Sequence, residues 1–243
     1  MRRTRRIISV ARLLLVGHLR EPTALLWTAV APCMMFMIMK QNASFTGLSA
    51  SSYTHSAAWF YAYISANVAF FGLSFYLIGR RESGFVRSFI YRREAITLFL
   101  TSHALSYSVI SLLYSSAFYI ITKPLYGPYS LPEFLHLTTA FYTSYLLFSC
   151  IGLAIAALPI RFSTAGTVFS FLSFLMLFSG YLGSAPSNTS HWLGAINPLY
   201  LSANIINGQL SLSVSFSAAV AASAIGFYVT AKLFRIQPVW NRY

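Results

Sequence analysis

Long apolar segments separated by short polar segments run along the whole chain. A helix that crosses a bilayer needs about 20 apolar residues, and six segments approach or exceed that length. They lie at 23–39, 57–78, 95–121, 133–158, 162–183 and 212–234. The pattern therefore predicts an all-α membrane protein, in which residues 1–243 form a single transmembrane domain of six helices.

Residues 2–20 predict an amphipathic helix before the first span. Arg5, Arg12 and Arg20 lie on one side of this helix, and apolar side chains fill the other. The apolar stretch 7–19 is too short to cross a bilayer. A helix of this kind lies in the membrane interface, with its arginines toward lipid phosphates. Docking of the same helix on another protein is the alternative.

The segment 184–210, before the last span, is uncharged but rich in Gly, Pro and Asn. Its apolar runs at 192–196 and 199–206 are too short to span a membrane. Irregular backbone at membrane depth occurs where it is buried in protein or lines a cavity. We therefore predict short re-entrant half-helices on the extracellular side.

A polar island at 79–94 is the only dense charge cluster outside the N-terminal segment. It reads GRRESGFVRSFIYRRE and holds two of the four acidic and five of the seventeen basic residues of the chain. We expect its first half to form a short helix along the cytoplasmic membrane surface, with Arg80, Arg81, Glu82 and Arg87 facing water or a partner. Phe85 would face the membrane, and Gly84 would allow close backbone approach. The alternative is a loop that only fixes topology.

The basic residues predict the orientation of the spans. Fifteen of them fall on one side of the six predicted spans, and only Lys40 and Lys123 fall on the other. The side richer in Lys and Arg faces the cytoplasm, so both termini and the polar island are expected there, in a cell or inner membrane that we expect to be bacterial. The net charge of +13 therefore reflects membrane topology, and we expect no nucleic-acid partner.

The chain lacks the sequence motifs of catalytic and metal sites. No phosphate-binding loop, GxSxG, HExxH or GxGxxG occurs, there is no Asp, and the five histidines are scattered. We therefore expect no enzyme activity, and neither a cofactor nor a metal in this chain. Carboxylates in mid-membrane, which a secondary carrier or channel would need, are missing from the predicted spans.

Aromatic residues are abundant in the spans, and together with Asn67 they could line a path for an amphipathic molecule. The alternative for these aromatics is helix packing and interfacial belts. An intramembrane enzyme is disfavoured, because no placement brings a Ser, a His and a carboxylate together at membrane depth. A structural or regulatory subunit stays open.

Three motifs in order resemble the type-2 family of ABC transporter permeases. The run RESGFVR at 81–87 is similar to the family's coupling-helix signature after the second span. The run REPTALLW at 20–27, with Pro22, Trp27 and the later Pro32, is similar to the start of its first span. The run INPLY at 196–200, with Asn197, Pro198 and Tyr200, is similar to an element before its last span. No large external domain is inserted.

The resemblance implies a function and a set of partners. The chain would be the membrane-spanning half of an ATP-driven exporter that moves an amphipathic or hydrophobic antibiotic, peptide, lipid or glycan. A second permease copy or paralogue would pair with it, and two separate ATPase subunits would bind ATP and Mg. Docking of the ATPases would involve the N-terminal helix and a coupling interface made of Arg80, Arg81, Glu82, Gly84, Phe85 and Arg87. Asn197, Pro198 and Tyr200 would shape the extracellular exit.

Overall fold

The computed structural model describes residues 2–45, 52–83, 93–183 and 196–234, and these residues form eight helices and no strand. The helices are α1 Arg2–Leu19, α2 at 22–45, α3 Tyr53–Glu82, α4 Arg93–Thr122, α5 Leu131–Ala157, α6 Phe162–Gly183, α7 Pro198–Ile206 and α8 Leu212–Leu233.

Five of these helices, α3, α4, α5, α6 and α8, are long and apolar enough to cross a membrane. The chain is therefore an all-helical membrane protein, as its hydrophobic pattern predicts. The helix α2, which covers the predicted first span at 23–39, is not among the five.

The helix α2 continues to Phe45, beyond the predicted end of the first span at residue 39. Its residues Leu26–Val30 form a π-helical turn. Pro32, two residues after this turn, has no N–H, so it cannot donate to the carbonyl of Thr28 one helical turn earlier. A single wide turn is a common way for a helix to continue past such a gap.

The helix α3 is longer than the predicted second span at 57–78. It begins after Ser52, whose hydroxyl accepts a hydrogen bond from the backbone N–H of His55, and it ends at Glu82. The prediction of a separate surface helix for the first half of the island is therefore wrong for Arg80 and Arg81, because they form the last turn of α3. Residues 84–92 of the island lie outside the described residues, and its last two residues begin α4.

The helix α5 lies at the centre of the fold, between α3 and α8. The α3–α5 approach is close, because a Cβ atom on Gly152 would collide with the side chain of Ser74. On the other side, the Thr230 hydroxyl of α8 donates to the Leu153 carbonyl of α5 at 2.9 Å. Most of α6 and α8 is exposed, as expected for helices at the lipid boundary.

The amphipathic helix α1 packs along α4 of the same chain. Its buried stripe is Ala11, Leu14 and His18, spaced at helical intervals, whereas Arg5 and Arg12 are exposed. The apolar face of α1 therefore has a protein surface as its neighbour, and the opposite face carries the arginines.

Candidate functional site

A cavity of about 900 Å³ lies between α1, α2, α3, α4 and the start of α6. Its volume is in the range of sites for drug-sized molecules. The helix α3 forms one wall, from Tyr63 and Asn67 down to Ser83. At a rise of about 1.5 Å per residue, the distance from Asn67 to Ser83 corresponds to roughly 24 Å along the helix. The cavity thus extends along much of a span and ends where the polar island begins.

Both π-helical segments of the described chain border this cavity. Trp27 and Thr28 belong to the π-helical turn of α2, and Val68, Phe71 and Phe75 belong to the second π-helical segment, Val68–Phe75 in α3. Short π-helical segments are rare and occur often at functional sites. Their position marks this cavity as the candidate site of the described structure.

The aromatic residues of the spans divide into two groups. Tyr63, Phe71, Phe75 and Tyr76 line the cavity together with Asn67. A larger group is buried in the core instead, namely Phe60, Tyr61, Phe70, Tyr145, Phe148 and Phe169. The packing interpretation therefore holds for the second group, and the first group lies at the wall of the cavity.

His18 joins α1 to the cavity wall on α4. Its Nε2 lies 2.9 Å from the Tyr114 hydroxyl, and its Nδ1 lies 3.2 Å from the Tyr107 hydroxyl. The imidazole is buried, and this burial lowers the pKa of His18 below its ordinary value. Sequence analysis missed His18, although its spacing of four residues from Leu14 and seven from Ala11 places it on the buried stripe of α1.

Gly72 allows α3 and α4 to approach closely at the cavity wall. A Cβ atom at this position would lie 2.6 Å from Cε1 of Tyr107, well inside van der Waals contact. Directly beside it, the His103 Nε2 atom is 2.8 Å from the Leu73 carbonyl oxygen. The two helices are therefore fixed against each other at the level where His18 meets Tyr107.

Of the predicted coupling residues, Arg80 lines the cavity. Its guanidinium donates a hydrogen bond to the Tyr76 hydroxyl and lies over that ring, 4.8 Å from the centroid. Ser83 borders the same end of the cavity. Gly84, Phe85 and Arg87 lie outside the described residues.

Arg81 is fully buried, so the expectation that it faces water or a partner is wrong. Its Nη1 donates to the carbonyls of Ala156 at 3.2 Å and Leu158 at 3.0 Å, and its Nη2 donates to the Ile160 carbonyl at 2.6 Å. Its Nε donates to Glu82 at 3.1 Å. The rigid fork of donors in arginine suits several acceptors at once, so Arg81 ties the end of α3 to the α5–α6 connector.

The predicted features at the start of the first span also fall near the cavity. Pro22 occupies the first position of α2, where its missing N–H costs nothing. Trp27 lines the cavity and is also largely exposed. Arg20 is exposed at the break between α1 and α2, and Pro32 lies one turn beyond the cavity-lining Thr28.

Asn197 and Pro198 start the short helix α7, away from the cavity. The Asn197 side chain accepts from the Leu199 N–H at 2.9 Å and donates to the Met176 carbonyl of α6 at 2.8 Å. Tyr200 is half-buried in the same helix. The helix α7 packs against α3 and α5, so one short helix lies within the predicted re-entrant segment. Residues 184–195 lie outside the described part.

The described residues contain no group of three His, Cys, Asp or Glu side chains that could hold a metal ion. What the structure brings together is an aromatic cavity with a few polar and charged groups, among them His18, Glu21, Asn67 and Arg80. Such a site can bind and orient a small amphipathic molecule.

Comparison with known proteins finds a relative that matches nearly the whole chain. The chain is similar to Protein McbE of Escherichia coli, with 26% identity over 238 residues, which is 96% of this chain and 98% of that protein. No family model matches the chain. The similarity extends over nearly the full length of both proteins, so it includes the helices that form the cavity.

Proposed function

We propose that this chain is the transmembrane permease subunit of an ATP-driven exporter of the ABC type. The exporter would move an amphipathic or hydrophobic compound out of the cytoplasm or the inner leaflet. A separate ATPase subunit would supply the work, since the sequence lacks a phosphate-binding loop.

One observation carries the proposal: the cavity wall and the polar island belong to one continuous helix. The helix α3 lines the cavity from Tyr63 to Ser83, and the island begins within its last turn. A helix transmits displacement along its axis because its backbone bonds are all internal. A partner that moved the island would therefore also move the cavity wall.

The hydrogen bonds of Arg81 connect the end of α3 to a second part of the molecule, the α5–α6 connector. The Arg81 side chain, at the end of α3, donates hydrogen bonds to the carbonyls of Ala156, Leu158 and Ile160. A movement of the island would therefore pull the α5–α6 connector in the same direction. In the proposed cycle, closure of two ATPases would shift α3 and this connector together and alter access to the cavity.

The proposal includes a topology of six spans. The helix α2 would be the first span, α1 would be the interfacial helix, and α7 would be the re-entrant helix on the extracellular side. The distribution of Lys and Arg favours both termini in the cytoplasm. Two such chains, identical or paralogous, would form the exporter together with two ATPase subunits.

Purification of the tagged chain from native membranes in a mild detergent, followed by mass spectrometry, tests the proposal. We expect an ATPase with a phosphate-binding loop at near one-to-one ratio with the permease. A matched preparation of an unrelated multi-pass protein from the same membranes measures nonspecific recovery. Recovery of the chain alone, or only with itself, would contradict the exporter and favour an ATP-independent carrier or a regulatory subunit.

A further inference from the structure

Acidic side chains are scarce in this protein, which has four in 243 residues. The structure describes the side chains of three of them. Glu82 pairs with Arg81 at 3.1 Å, and Glu133 pairs with Lys123. Glu21 makes no ion pair with any residue that the structure describes, and it is the acidic residue that lines the cavity.

The position of Glu21 is fixed by the break between α1 and α2. Its N–H donates to the His18 carbonyl at 3.0 Å, and its carbonyl accepts from the Leu25 N–H at 3.2 Å. The residue is half-buried and lines the cavity together with Tyr107 and Tyr114. A half-buried carboxylate is screened less by solvent than one on the surface, so it gives this part of the cavity a local negative potential.

Aromatic rings surround the same space. Trp27, Tyr76, Tyr107 and Tyr114 line the cavity that Glu21 borders. The faces of such rings attract cations, and the protein uses this interaction for its own Arg80, which lies over Tyr76. A carboxylate beside several aromatic faces is the chemistry that recognises an organic ammonium or another delocalised cation.

We propose that the cavity binds an organic cation, with the positive charge beside Glu21 and an apolar body among the aromatic rings. The assignment of this cation as the exported compound rests on the proposed function, whereas the binding site itself does not. Arg80 also lines the cavity, where its guanidinium donates to the Tyr76 hydroxyl and lies over that ring.

Two probes of nearly the same shape and opposite charge test the proposal. Tetraphenylphosphonium and tetraphenylborate would be titrated by equilibrium dialysis against the purified full chain in lipid nanodiscs, with empty nanodiscs as the background. We expect saturable binding of the phosphonium and at least tenfold weaker binding of the borate. This is a strict test because the net charge of +13 favours the anion at nonspecific sites.

Variants of Glu21 then test whether its carboxylate binds the positive charge of the probe. Glu21→Gln is expected to weaken phosphonium binding by about tenfold, and Glu21→Asp is expected to retain most of it. Glu133→Gln removes the same charge away from the cavity and should leave binding unchanged. Equal affinity in Glu21→Gln and the unmodified chain, or an equal loss in Glu133→Gln, would overturn the proposal.

The outcomes separate this inference from the exporter. If Glu21→Gln does not yield monodisperse protein, the unmodified chain alone tests the cation site. A chain that does not prefer the phosphonium over the borate refutes the site. Phosphonium binding that depends on Glu21, in a chain that recovers no ATPase, would uphold the site and reject the exporter. Recovery of the ATPase with a chain that does not prefer the phosphonium would uphold the exporter and reject the cation site.

Discussion

At the scale of single residues, His18 shows how one polar side chain positions a helix. Its two ring nitrogens meet the hydroxyls of Tyr107 and Tyr114, and a neutral imidazole can donate with one nitrogen and accept with the other. The other buried residues of α1, Ala11 and Leu14, are apolar and make no directional contact. Since hydrogen bonds are directional, His18 determines how far along α4 the helix α1 sits.

The docking of α1 should therefore depend on pH. Burial lowers the pKa of His18 from its ordinary value of 6.5, so the undocked helix binds a proton more readily than the docked one. Docking is then fully stable above about pH 6.5 and weakens as the pH falls below it. Hydrogen exchange of the α1 amides, corrected for intrinsic rates, should show less protection at pH 5.5 than at pH 7.5. His18→Gln should remove this dependence, and an equal dependence in that variant would contradict the assignment to His18.

Asn197 fixes α7 in a similar way, by capping its first turn and bonding to α6. Asn197→Ala removes a helix cap worth about 1 kcal/mol and a bond to the Met176 carbonyl worth about 1 kcal/mol. We expect the melting temperature of the purified chain to fall by several degrees. Asn204→Ala is the matched control, since the Asn204 side chain has no hydrogen bond within the described structure. An equal shift in both variants would mean that Asn197 has no special role.

At the scale of elements, charge density predicted the polar island but not its structure. Charged residues after an apolar segment can form a surface loop or continue the helix, and Arg and Glu are both good helix formers. The burial of Arg81 has no local signal, because three of its four acceptors are backbone carbonyls more than 70 residues away. By contrast, α4, α5, α6 and α8 begin and end within a turn of the predicted spans, because the apolar pattern sets their bounds.

The cavity could be predicted only in part. The aromatics of α3 and Asn67 were candidates from the sequence. The two π-helical segments beside the cavity were not predicted, because the apolar pattern does not distinguish a π-helical turn from an α-helical one. His18 and Glu21 were missed, although each lies close to the predicted break after residue 20. Local patterns therefore located the walls of the site but not the groups that give it its chemistry.

The hydrogen bonds of Arg81 should protect the α5–α6 connector from cleavage by proteases. Arg161 directly follows the carbonyl of Ile160 that Arg81 holds, and it is exposed. Arg81→Lys keeps the charge but cannot bond several carbonyls in a fixed plane, so we expect tryptic cleavage after Arg161 to become several times faster. Arg80→Lys changes the neighbouring arginine in the same way and should leave this cleavage rate unchanged. Equal rates in the unmodified chain and Arg81→Lys would show that the connector does not depend on these bonds.

At the scale of the whole molecule, α1 has two faces with different roles. Its buried stripe packs against α4 and brings His18 to the cavity, so removing the helix would disturb the fold of this chain and would not isolate a docking surface. The exposed arginines can be changed without disturbing that stripe. They are the appropriate positions at which to test assembly with the proposed ATPase.

Reversal of the charge at Arg12 should weaken that assembly. A charged group at the rim of an interface acts mainly on association, so Arg12→Glu should lower the ATPase recovered per permease by roughly three- to tenfold at low salt, and less at high salt. Lys232→Glu, at the end of α8 on the same predicted side of the membrane, reverses one charge away from α1 and should recover the ATPase normally. Because Arg12 is exposed, the melting temperature of the variant should not change. Normal recovery with Arg12→Glu, or an equal loss with Lys232→Glu, would leave α1 as a support for the cavity wall with no part in docking.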